Sequence, residues 1–207
     1  MKVNFFHKLR HSKYHLAFSG GLDSTVLLHK CVKSNVYVEL LVIDHLNEFS
    51  QIEIEFAKKT IVNYQTQGIN IPFSVYKINE RKNRCSTEFY WSEERDKIYQ
   101  SLDANVLTGH HLNDVVEWYV MSSMQGQSKL MGYQRGNVLR PFLLTPKVKL
   151  LEYANYHKLD YLTDPSNQDN SFNLRNKVRN ILIPQIQEVF PGIERTVRRL
   201  ILKKEAN

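Results

Sequence analysis

Short apolar runs separated by longer stretches of helical periodicity constrain this chain more than any other feature. That alternation is the pattern of βαβ units laid into an open parallel sheet with helices on both faces. The runs are Tyr14 to Ser19, Val36 to His45, Phe73 to Ile78, Asn105 to Gly109 and Val138 to Leu143. Between the first two, Leu27, Leu28, Cys31 and Val32 make the i, i+1, i+4, i+5 stripe of a helix with one buried face, which puts Cys31 in the core. Ser50-x-x-Glu53 reads as a capping box that starts a second helix at Ser50, with Ile54, Ala57, Ile61 and Tyr64 sharing a face and Gly68 ending it. Further helical stretches run from Thr87 to Leu102 and from Leu112 to Met124. Thr145-Pro146 reads as an N-cap with proline at the first helical position of a helix through Tyr156. A chain of 207 residues can bury one good core. The expected organisation is an α/β domain over residues 1–144 and a helical extension over residues 145–207.

The formal charge of +7 favours an anionic partner such as nucleic acid or nucleotide, although it also serves solubility. Its placement is more informative. From Asn173 to Lys204 eight basic residues stand against two acidic ones, Glu188 and Glu194. Only Cys31 and Cys85 occur, with no Cys-x-x-Cys pair and no zinc-ligand spacing, which fits a reducing cytoplasm. The polar N-terminal stretch is unlike a signal peptide, and no apolar run approaches the roughly 20 residues of a membrane span. A cytoplasmic protein without membrane contact is expected.

Ser19-Gly20-Gly21-Leu22-Asp23-Ser24 falls where the first strand ends and the first helix begins, the place in an open parallel sheet where ligands bind. Two adjacent glycines allow close approach of a bulky anion, and the following N–H groups at the helix start supply donors and positive partial charge. Phosphate is the natural guest. Ser19 and Ser24 add hydroxyl donors. Asp23 would repel phosphate unless a cation intervenes, so it reads as a Mg²⁺ ligand or as an N-cap. The loop lacks the Gly-Lys-[Ser/Thr] ending of P-loop kinases and the spacing of a dinucleotide Gly-x-Gly-x-x-Gly.

This loop resembles the pyrophosphatase-type loop of the N-type ATP pyrophosphatases. The resemblance implies an adenine nucleotide alpha hydrolase-like, Rossmann-like fold. It also implies a grip on the β and γ phosphates and cleavage of ATP to AMP and pyrophosphate. Further segments, in order along nearly the whole chain, resemble the tRNA(Ile)-lysidine synthetase family. They are Asp44-His45, Glu88 with Arg95, Gly109-His110-His111-Leu112-Asn113-Asp114-Val115-Val116-Glu117, Arg140-Pro141, Asp164-Pro165-Ser166-Asn167 and Arg175-Asn176-Lys177-Val178-Arg179. In that family a wobble cytidine of tRNA(Ile) is adenylated and the ε-amine of L-lysine displaces AMP, so ATP, Mg²⁺, lysine and tRNA are the implied cofactors and partners. A homodimer is open as the assembly.

By that resemblance ATP contacts Ser19, Gly20, Gly21, Leu22, Asp23, Ser24, Asp44, His45, Gly109 and His110. Lysine contacts Glu88, Arg95, Asp114 and Glu117, and Asp23 and Asp114 hold the metal. Catalysis falls to Asp23, Arg95, Asp114 and Glu117. Read as residues alone, Asp114 and Glu117 share a helical face and could hold an ammonium, bind Mg²⁺, accept a proton, or simply face solvent. Arg95 suits a carboxylate or a phosphate, or a salt bridge with Glu88 or Glu94. His110 and His111 either shape the nucleotide pocket or are structural. Arg175 and Arg179, i and i+4, would reach two RNA phosphates together with Arg140, Asn176, Arg195, Arg198 and Arg199. The last three flank the apolar stripe Val197, Leu200 and Ile201.

Asn113 stands where the family has an acidic residue, so one carboxylate is missing. The chain also stops where that family's C-terminal domains would begin. Two rival readings remain at this level. One is a tRNA thiolase, for which Cys85 with its basic neighbours Arg81, Lys82 and Arg84 is the candidate thiol. The other is a non-catalytic RNA-binding module.

Overall fold

The period-2 pattern of the strands separates two apolar layers. The structure is a computed structural model that describes residues 5–9, 12–79, 87–165 and 174–206, with residues 87 and 88 described by their backbone alone. Strands β1 (Tyr14–Ala17), β2 (Val38–Asp44), β3 (Phe73–Lys77), β4 (Asn105–Leu107), β5 (Gln134–Arg135) and β6 (Val138–Leu139) form one sheet in the order β3-β2-β1-β4-β6-β5. Every neighbouring pair is parallel except β5 with β6. On β2, Leu40 and Val42 point into the larger core, whereas Leu41 and Ile43 point into the smaller one on the opposite face. Leu107 and Val106 of β4 divide in the same way.

The two faces are covered unequally. The larger core is closed by α1 (Leu22–Lys33), α2 (Glu48–Gln65), α4 (Leu112–Met124), α5 (Lys147–His157), α7 (Ile183–Val189) and α8 (Ile193–Ala206). Among the described residues the smaller core is covered by α3 (Thr87–Gln100), through Tyr90, Trp91, Ile98 and Tyr99. The stripe expected on α1 is found, with Leu27, Leu28 and Cys31 buried. On α2 the stripe is Ile54, Ala57 and Ile61. Each such aliphatic side chain contributes roughly 1.5–3 kcal/mol when fully buried. The helices after residue 145 join this same core, where Leu150, Ala154, Val197 and Ile201 pack with Leu27 and Val115. Cys85 and Ser166-Asn167 lie outside the described residues.

Three boundaries differ from the sequence reading. Helix α2 starts at Glu48, capped by Asn47, whose Oδ1 accepts from the Ser50 N–H at 2.8 Å. Ser50 is therefore no cap. Its hydroxyl accepts the His45 N–H at 2.9 Å and ties the helix to the end of β2, and Glu53 is released toward the site. Helix α5 begins one residue later than expected, after Pro146, because the Thr145 backbone is already engaged: its carbonyl accepts from Leu112 N–H at 3.0 Å. Strand β6 stops before Pro141, which has no N–H for the ladder, and the hairpin partner β5 is too short to leave a periodic signal.

The strand order explains where a ligand can sit. Strands β2 and β3 extend from one side of β1, and β4 lies on its other side. At such a reversal the loops leaving the carboxyl ends diverge and open a crevice. The loops after β1, β2 and β4 all lie at that edge.

Candidate active site

The loop from Ser19 to Ser24 is held by backbone bonds from a distant segment. Leu162 donates its N–H to the Gly20 carbonyl at 2.8 Å, and Gly21 forms a parallel bridge with Leu162. Gly20 sits at φ +70°, and a Cβ there would lie 2.7 Å from the Phe56 ring, so glycine is required on two counts. Helix α1 starts from Gly21 with no side-chain cap, unlike α2, capped by Asn47, and α4, capped by His111. The first-turn N–H groups of α1 therefore face the crevice without a side-chain acceptor, the arrangement that suits a phosphate. Ser19 and Ser24 hydroxyls lie 3.4 Å apart beside them. Gly109 allows the loop after β4 to press against this turn, since a Cβ there would lie 3.0 Å from the Asp23 backbone carbon.

Next to the loop, the start of α4 carries a closed network of charges. His111 and Asp114 form a reciprocal capping box, and His111 Nε2 is 3.6 Å from Asp23 Oδ1. Asp114 Oδ1 accepts from Arg175 at 2.9 Å and Arg179 at 3.4 Å, while Glu117 accepts from Arg179 at 2.7 and 2.8 Å and Arg175 at 3.2 Å. Arg175 belongs to α6 (Leu174–Lys177), and Arg179 to a π-helical turn over Val178–Leu182. Pro184 cannot donate to the Asn180 carbonyl, which accounts for the widened turn there. Burial works against the charged form of Asp114, but His111, Arg175 and His110 outweigh it and hold the carboxyl well below its ordinary value. Asp23 goes the other way. Burial raises it, and His111 only partly offsets that.

Ser19, Asp23 and Ser24 of the loop and Asp114, Arg175 and Arg179 of the network line one cleft of about 1640 Å³ at the carboxyl edge of the sheet, whereas His111 and Glu117 are buried behind its wall. Arg95 enters it from α3 and makes no ion pair among the described residues, so the alternative of a bridge to Glu94 is not what the fold uses: Glu94 is taken by Lys97 and Asn79. The Glu88 side chain lies outside the described residues. His45 and His110 line the cleft as neutral imidazoles, both pushed down chiefly by burial, to about 4 and about 3. His45 Nε2 is buried without a partner, and its ring tilts against Trp91 at 5.0 Å. Asp44 is not at the cleft wall. It is buried and closes its own turn by accepting the Leu46 N–H at 2.8 Å, because the chain reverses direction after β2.

The expected RNA-contacting residues divide. Arg140 and Asn176 are buried, the former donating to the Gly132 carbonyl at 2.9 Å, so neither belongs to an outer basic face. Arg175 and Arg179 turn inward to the carboxylates. On α8, Arg195 and Arg199 are exposed and Arg198 is half-buried, away from the cleft. Asn113 also points away: its Oδ1 accepts Lys147 N–H at 2.8 Å and its Nδ2 donates to Glu194 at 3.1 Å, fastening α4 to α5 and α8. The carboxylate missing at this position is therefore not one that would have faced the cleft.

Sequence reasoning missed Glu53, which lines the cleft and is pushed up to about 7 by burial and by Asp164, with Arg95 opposing. Its helical spacing from Asn47 could have revealed it, had the cap been placed correctly. It also missed Phe89, Trp118 and Met121, whose apolar character reads as core.

For a divalent cation, Asp23 Oδ1 is a buried carboxylate oxygen with no hydrogen-bond partner beside the phosphate loop, which fits. Asp114 does not fit in the same way, since its oxygens already serve two arginines and the His111 N–H. Among the described residues no group of three or more His, Cys, Asp or Glu side chains is arranged for a metal.

The chain is 32% identical over 197 residues to a tRNA(Ile)-lysidine synthase of Persephonella marina, spanning 86% of this chain and 42% of that protein. It is 29% identical over 212 residues to the tRNA(Ile)-lysidine synthase of Francisella tularensis subsp. novicida, spanning 95% and 52%. The chain thus spans about half the length of the curated relatives it matches. Among solved structures, the U34-tRNA thiolase NcsA of Methanococcus maripaludis superposes with a TM-score of 0.72 at 19% identity, over 96% of this chain and 74% of that one, a likeness of fold. The PP-loop domain family matches residues 2–186, and with the open loop at Ser19–Ser24 this establishes that the chain belongs to that family.

Proposed function

We propose that this chain is an ATP-dependent tRNA-modifying ligase of the lysidine synthetase type, which adenylates the wobble cytidine of tRNA(Ile) with a CAU anticodon and joins L-lysine to it. The observation that carries the reading is the shared cleft, in which an uncapped helix start suited to phosphate lies beside the Asp114 carboxylate, suited to an amine, with Glu117 buried behind it. In this reading the α1 N–H groups, Ser19 and Ser24 hold the β and γ phosphates and stabilise pyrophosphate as it leaves. The cytidine O2 attacks the α phosphorus, and the O–P bond to pyrophosphate breaks. Lysine's ε-amine then attacks C2, AMP departs with its oxygen, and the amine proton passes to the cleft. Asp114, held below its ordinary value, acts as a fixed charge on the cleft wall, and Glu117 takes the proton as Arg175 and Arg179 release it. Arg95, with no ion pair among the described residues, receives lysine's carboxylate or a phosphate. A Mg²⁺ at Asp23 would neutralise phosphate charge there.

The relatives' names support the RNA and the co-substrate. Nothing specific favours sulfur transfer: Cys31 is fully buried and burial holds its thiol far above its ordinary range, and Cys85 lies outside the described residues.

The test supplies purified protein with ATP, Mg²⁺, labelled lysine and tRNA(Ile) bearing CAU, and measures lysine on RNA together with AMP and pyrophosphate. Incorporation lost in Asp23→Ala and Asp114→Asn is the expected result. AMP release without lysine transfer would keep an adenylating enzyme and discard lysine, and absence of turnover on any tRNA pool would discard the enzyme.

A further inference from the structure

The cleft is larger than a single small ligand needs. Its roughly 1640 Å³ exceeds the roughly 300–1,000 Å³ of ordinary small-ligand pockets. Along α4, Asp114, Trp118, Met121 and Gln125 follow at i, i+4, i+7 and i+11 and form its wall, so that wall extends about 16 Å from the charged end at 1.5 Å per residue. Facing it, Phe89 begins the cleft-lining side of α3. Trp118 is 39% exposed, large ring surface left open inside a concave site. Trp118 makes no ring contact among the described residues. Beyond Gln125 the rim carries Lys129 and Lys204, neither of which forms an ion pair among the described residues.

An aromatic face with cations at its edge suits a nucleobase joined to phosphates. Duplex RNA hides its base faces, so a ligand for this surface must offer an unstacked base, as a single-stranded loop does. A protein helix would need a continuous apolar stripe, but here the apolar part is bracketed by Asp114 and Gln125. We propose that the outer half of the cleft binds an unstacked nucleotide of a single-stranded RNA loop, with its base against Trp118 and its phosphates near Lys129 and Lys204. This rests on the reading of the protein as an RNA-modifying enzyme and adds where the loop enters.

The chain has two tryptophans, Trp91 and Trp118. In Trp91→Phe the emission reports Trp118 alone. Titration with a single-stranded RNA of about seven nucleotides, within the usual site size for such binding, is expected to quench that emission saturably. Trp118→Ala should weaken the oligomer roughly 10-fold or more, Trp118→Phe should recover most of the loss, and a duplex of equal length should bind far less tightly. Equal affinity for wild type and Trp118→Ala, or equal binding of duplex, would overturn the stacking site while leaving the RNA reading intact. Calorimetry with ATP alone separates the remaining case: ATP binding without affinity for any oligomer or tRNA would remove the RNA reading and this site together. Preference for an amphipathic peptide over RNA at Trp118 would likewise overturn it.

Discussion

The phosphate loop and the start of α4 touch through His111, yet their polar groups are satisfied in opposite ways. The loop leaves first-turn N–H groups without a side-chain cap and Asp23 Oδ1 without a partner. At α4 the first turn is capped and both carboxylates are bound by arginines. A loop built this way accepts an anion with little rearrangement, whereas the acidic pair must share or release guanidinium bonds to accept an ammonium. Preorganisation differs between two sites only one side chain apart.

The largest expected effect comes from opening the closed side. Asp114→Ala takes one carboxylate from Arg175 and Arg179, which keep Glu117, and removes the acceptor of the His111 N–H, and removing one partner from a buried ion pair costs about 3–5 kcal/mol. Thermal unfolding should show a loss of that size, with Asp114→Asn losing less because the amide oxygen can still accept at the cap. An unchanged midpoint would mean that the network contributes nothing to folding.

Closing the open side should cost somewhat less. Gly20→Ala combines a positive φ with a Cβ 2.7 Å from Phe56, about 2–4 kcal/mol in strain and overpacking. ATP affinity, measured by calorimetry on folded protein, should fall with it.

A third effect comes from Glu53, whose folded value of about 7 stands above its ordinary 4.5. The folded state thus favours the protonated form. Below about pH 4.5 ionisation costs nothing, between 4.5 and 7 the penalty grows as the unfolded chain ionises first, and above 7 it is complete. Glu53→Gln should therefore match wild type at pH 4.5 and exceed it by on the order of 2 kcal/mol at pH 8, discounted for partial solvent contact. A stability difference that does not vary with pH would contradict this.

The smallest effect tests the far side of α4. Asn113→Asp replaces the donor to Glu194 with a second carboxylate and should cost about 1 kcal/mol, leaving ATP affinity as it was. A fall in ATP affinity would place residue 113 in the cleft after all.

Much of this was legible in the sequence. The alternation of apolar runs gave the parallel sheet and five of its strands, the stripe at Leu27, Leu28 and Cys31 gave the packing of α1, and Ser19–Ser24 gave the phosphate loop, because each depends on neighbours within one turn or one strand. The ends were less legible. Ser50 and Thr145 look like caps locally, but their groups are claimed by His45 and Leu112.

What the sequence alone determined is the set of local rules: strand period, helix stripe and the glycine pair where β1 meets α1. Tertiary structure decided the partners. Arg175 and Arg179, i and i+4 on a basic segment, look like phosphate contacts until the fold places them 58 to 65 positions away from the carboxylates they bind. Likewise, only the packing of α3 opposite α4 turns Trp118 from apparent core into exposed cleft wall. Long-range pairing is invisible in spacing because it is set by where the chain returns, and that return is fixed by burial of the whole core.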